Sequence, residues 1–132
     1  DRLVMARVGE GYPMVFGIPP KFIVESMEGT FDDAAVIMMG CSGLFSRDLA
    51  KAFVDKGASV YVGWNGSVEL YYVDEATPYL VRQLCSGSMT VRDAVDNTMD
   101  SIGPDPEHGS GLEYYPTYPS DSGDKTLQEL IE

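Results

Sequence analysis

The sequence predicts an α/β fold: a three-layer α/β/α sandwich around a mostly parallel sheet. Three observations carry that expectation. Residues 34–39, Ala-Ala-Val-Ile-Met-Met, are continuously apolar, as in a strand buried on both faces of a parallel sheet. A helical pattern follows from Ser46 to Gly57, and a second strand pattern, 59–65, comes directly after it. Strand, helix, strand with short links is a crossover unit, which sets the two strands side by side and parallel.

In chain order, residues 2–9 and 12–18 read as short strands joined at Gly9-Glu10-Gly11, with Pro13 weakening the second. Pro19 and Pro20 open a helix that Gly29 closes, with Phe22, Ile23 and Met27 as its apolar stripe. After the buried strand and Gly40-Cys41-Ser42-Gly43, Ser46 reads as an N-cap and Gly57 as a C-terminal stop. Leu49, Ala50, Phe53 and Val54 form the inner face of that helix. Strand 59–65 mixes β-branched and aromatic residues. Residues 67–87 predict a long helix distorted near Pro78. Thr90 caps a helix with Asp93 in its first turn, and Gly103 ends it. Residues 111–119 add an edge strand, where Pro116 is tolerable. The order β-β-α-β-α-β-α-α-β makes 1–119 one unit and 120–132 a polar tail or docking segment.

Hydrophobic residues make up 44% and charged ones 23%, the balance of an ordinary globular chain. No apolar run approaches the roughly 18–20 residues of a membrane span, so none is expected in this segment. A net charge of -12 argues against nucleic acid as a partner, since phosphates would be repelled. Solubility is the plain reading of that charge; a site attracting basic ligands is the other. Cys41 and Cys85 are too few for a disulfide framework and suit free thiols. The single histidine, His108, lies far from both in sequence, so no metal-ligand spacing exists and no cofactor is expected. No Gly-x-Gly-x-x-Gly follows a strand, which disfavours a nucleotide-binding domain. The chain begins at Asp1 without an initiator Met and reads as cut from something longer.

In open α/β sheets, ligands bind beyond the carboxyl ends of the strands. Two tips qualify, 40–43 and 63–66, and they should lie side by side. Glycines flanking Cys41 let backbone approach a ligand, and the helix starting near Ser46 turns its positive end toward the thiol. A cysteine attacking a carbonyl needs such a setting. A cysteine in an apolar stretch is also ordinary packing, and that reading stays open for Cys41. Packing is the better reading for Cys85. Trp64 is either core or pocket wall, Asp74 and Glu75 form a solvated helix face, and His108 is a surface histidine in a Pro/Gly-rich loop.

Residues 34–68, from Ala34-Ala35 through Gly40-Cys41-Ser42-Gly43, Leu49-Ala50, Ala52-Phe53, Gly57-Ala58 and Val62-Gly63-Trp64, with the helix 90–99 behind them, resemble the C-terminal half of caspase-like cysteine peptidases. The gingipain-like and CHAT-type branches are the most similar. The resemblance covers roughly residues 34–100. It implies a caspase-like (flavodoxin-like) sandwich that is incomplete at its N-terminus, and a cysteine endopeptidase acting on a peptide or protein substrate. Cys41 takes the nucleophile position. The backbone N–H groups of Ser42 and Gly43 join that of Cys41 in an oxyanion pocket, and Trp64, Asn65, Gly66 and Ser67 line the substrate pocket. The family's histidine precedes its cysteine, yet no histidine precedes Cys41. The resemblance therefore implies a missing N-terminal half as partner, or a non-catalytic binding or scaffold module. Asn65 is neutral where a pocket acid would select Arg or Lys.

Overall fold

The computed structural model describes residues 2–132; Asp1, first residue of the expected unit 1–119, lies outside the described residues. The chain is α/β. Strands β1 (Val4–Arg7) and β2 (Met14–Gly17) form an antiparallel hairpin in which Met5 faces Phe16. β2 begins one residue after Pro13, because a proline has no N–H for the ladder. Helix α1 (Pro20–Ser26) follows, then β3 (Ala35–Met38), α2 (Asp48–Asp55), β4 (Val60–Trp64), α3 (Leu70–Leu84), α4 (Val91–Ile102) and β5 (Leu112–Tyr115). A 3₁₀ turn, Ser122–Asp124, and α5 (Leu127–Ile131) end the chain.

The sheet differs from the expectation in size and sense. β3, β4 and β5 form one sheet in that order, with β3 parallel and β5 antiparallel to β4. The hairpin is a separate two-stranded sheet. So a three-stranded mixed sheet stands where a mostly parallel one was expected, because β1 and β2 pair with each other instead of extending it. The parallel pairing of β3 with β4, Ala35 opposite Val60 to Met38 opposite Gly63, is the one the crossover unit required. β3 was also expected to be buried on both faces. Its four residues are only half-buried, because it sits at the sheet edge with no strand outside it among the described residues.

β4 is the central strand and every residue of it is buried. Its side chains alternate between two clusters, as the period of two requires. Val60, Val62 and Trp64 pack with Tyr72, Ala76, Leu80 and Leu84 of α3 and Val91, Ala94 and Val95 of α4. Tyr61 points the other way, against Leu44, Ala50 and Phe53. The α3 residues are spaced by four, one stripe of the helix. A proline inside a helix costs about 3 kcal/mol, yet α3 runs through Pro78 as one helix. Burying Leu80 and Leu84 returns roughly 1.5–3 kcal/mol each, enough to offset it.

Residues 120–132 fold back onto this body. Ser122 and Gly123 are buried, Leu127 and Leu130 pack against the larger cluster, and Val91 donates its N–H to the Lys125 carbonyl at 2.9 Å. Arg92 bonds Asp121 and Asp124 at 2.6 and 2.9 Å and lies over the Tyr114 ring. No helix among the described residues is long and apolar enough to cross a membrane.

Candidate functional site

Three loops meet beyond the carboxyl end of β4. The first carries Cys41 from β3 to α2, the second links β4 to α3, and the third links α4 to β5. Backbone bonds close the first onto the second: Ser42 N–H to the Gly66 carbonyl, and Leu44 N–H to the Trp64 carbonyl, each 2.8 Å. Asn65 fastens the second to the third. Its N–H donates to the Gly111 carbonyl, its side-chain oxygen accepts from the Gly111 N–H at 2.9 Å, and its amide reaches Glu113 at 3.2 Å. Gly66 lies close against the third loop: a Cβ there would come within 2.5 Å of the Ser110 hydroxyl oxygen, which would have to turn aside.

Cys41 is a free, exposed thiol on its turn. Its sulfur accepts the Val68 N–H at 3.4 Å and lies 3.5 Å from the Val68 carbonyl. Packing does not describe it. Cys85 is exposed too, at the C-terminal cap of α3, where packing was the expectation; the helix stops at Leu84 and leaves that side chain outside the apolar stripe.

The residues expected around Cys41 divide. Ser42 sits in the left-handed region, φ 58°, and its N–H is spent on Gly66, so as placed it is not a free oxyanion donor. Gly43 is buried, and its carbonyl accepts from the Tyr61 hydroxyl at 2.9 Å. Trp64 is fully buried and packs edge-on against Tyr72, which makes it core. A strand-tip residue on the α3 side of the sheet faces that helix, not solvent. Asn65 and Gly66 are half-buried and Ser67 is exposed, so these three reach the surface beside Cys41. α2 begins at Asp48, and Ser46 accepts the Asp48 N–H at 3.1 Å, so the helix start lies seven residues beyond the thiol. Asp74 and Glu75 are exposed, as a solvated face is.

His108 and Asp105 were not read from the sequence as neighbours of this corner. The His108 ring nitrogen Nε2 lies 2.9 Å from Glu69 Oε1, and Glu69 directly follows the residue that touches the thiol. Asp105 is 1% exposed. Its carboxylate accepts N–H bonds from Glu69 (2.8 Å), Glu107 (2.9 Å) and His108 (2.7 Å). Burial pushes its pKa up, but the three N–H donors and His108 together outweigh that and hold it below the usual carboxylate range. The run Pro104-Asp105-Pro106 marks a loop, but its bond to Glu69 spans 36 residues and leaves no local signature.

A shallow groove lined by Arg47, Asp96, Glu113 and Tyr114 lies along β5 and α4, with Cys41 not among the residues lining it. No group of three or more His, Cys, Asp or Glu placed to hold a metal ion occurs among the described residues. No family model, no curated protein and no solved structure matches the chain.

Proposed function

We propose that this chain is the cysteine-bearing part of a caspase-like cysteine endopeptidase, with Cys41 as nucleophile. The Cys41 sulfur bonds the substrate's carbonyl carbon, and the C–N bond breaks. The leaving amine takes a proton from a histidine supplied upstream of these 132 residues, since none precedes Cys41 within them. Water then hydrolyses the thioester, releasing the acid and restoring the thiol. The carrying observation is an exposed free thiol on the turn after β3, tied to the tip of its parallel neighbour β4. Asn65, Gly66 and Ser67 border the same corner as substrate contacts.

The finer fold in this reading is a three-layer caspase-like sandwich. In it, the open edge of β3 takes further strands from the N-terminal half of the domain, whose histidine completes the dyad. Packing on both faces of β4 supports it.

The test is labelling of the parent protein with an electrophilic peptide probe, with and without Cys41→Ala. Labelling that disappears in the variant is expected. Labelling unchanged by the variant sinks the reading. The occupied Ser42 N–H favours a second reading, a caspase-like module that binds without cleaving. Capture of a peptide that is never cut, with Cys41→Ala as effective as the native chain, separates the two.

A further inference from the structure

We infer that Asp105 is a positioning residue for Cys41, acting through the Val68–Glu69 turn. The path consists of short contacts. The buried Asp105 carboxylate accepts the Glu69 N–H at 2.8 Å, and the neighbouring Val68 N–H points at the Cys41 sulfur at 3.4 Å. Two further N–H groups, from Glu107 and His108, hold the same carboxylate from its own loop. Glu69 is in addition paired with the His108 ring. The third loop is thereby clamped to the turn that touches the thiol. A buried carboxylate is costly unless its lone pairs are satisfied, and here three backbone N–H donors satisfy them.

A backbone N–H aimed at a sulfur stabilises negative charge on it, the charge an attacking thiolate carries. Its value depends on where the N–H is held. Releasing Glu69 frees the turn to rotate, and the Val68 N–H leaves the sulfur. This role rests on Cys41 being the attacking thiol.

The experiment compares alkylation of Cys41 and Cys85 by iodoacetamide in the same chain, each read by peptide mass spectrometry. Cys85 lies at the far end of α3, fifteen helical residues away, and serves as the internal control. In Asp105→Ala, Cys41 is expected to react about tenfold or more slowly, the loss of one hydrogen bond to a charged group, while Cys85 is unchanged. Glu69→Pro removes the N–H donor on the turn together with the carboxylate paired with His108, and Glu69 already has φ -80°, which proline accepts. It should show the same selective slowing, and Glu69→Gln, which keeps the N–H, should leave Cys41 near its native rate. Unchanged or faster Cys41 in Glu69→Pro overturns the inference, as does equal slowing of both thiols. Iodoacetamide requires no peptidase machinery, so this result and failure of peptide-probe labelling are separate outcomes.

Discussion

The Tyr61 hydroxyl donates to the Gly43 carbonyl, so one buried phenol ties the middle strand to the turn that carries Cys41. Burial pushes its pKa up to about 12, and that of Tyr72 likewise to about 12. A raised value means that the folded state holds the proton more tightly than the unfolded chain. The stabilisation is complete below the ordinary tyrosine value near 10 and is lost as pH climbs toward 12. Urea midpoints should therefore fall between pH 9.5 and 11.5. Tyr61→Phe should shrink that fall, and at neutral pH it should destabilise by about 1–3 kcal/mol, because the buried Gly43 carbonyl is left without a donor. An unchanged alkaline fall in Tyr61→Phe would count against the assignment.

At the scale of elements, helix ends carry clear signals. Thr90 accepts the Asp93 N–H at 3.1 Å and α4 closes on Gly103, φ 81°. Thr90→Ala should cost about 1 kcal/mol in thermal or urea unfolding. Those ends were legible in the sequence because capping is local: a hydroxyl reaches an N–H three residues on. Gly57 was legible for the same reason; it has φ 107°, where a side chain is strained. The order of strands and helices and the β3–β4 pairing were legible too. The limits of that legibility lie where partners are distant. Residues 34–39 look the same whether their strand is central or at an edge, since what decides is the neighbour and not the run. Cys85 shares a helical pattern with Leu84, and only the point where α3 stops separates exposed from packed. Asp105 meets Glu69 because two loops converge, and no spacing in the sequence records that.

For the whole molecule, apolar surface and charge are unevenly placed. Most of the -12 belongs to the body, while the hairpin exposes Met5, Val8, Met14, Val15 and Phe16, with Phe16 74% exposed. A two-stranded hairpin is marginal in water by itself, and scattered apolar residues are ordinary where a contiguous set is not. Phe16→Ser should therefore leave global stability within about 0.5 kcal/mol, as a surface change does. It should also lower binding of a hydrophobic dye and retention on an apolar resin. A large loss of stability instead would mean that the hairpin packs on the body in solution.

Trp64 is the single tryptophan of the chain, sealed in the core with its indole N–H unpartnered, and its carbonyl receives the Leu44 N–H three residues past Cys41. That makes it an optical reporter already in place. Its fluorescence reads the core behind the thiol with no competing indole. A reagent that settles on Cys41 and shifts the turn would announce itself in the colour and intensity of one emitter, without a label.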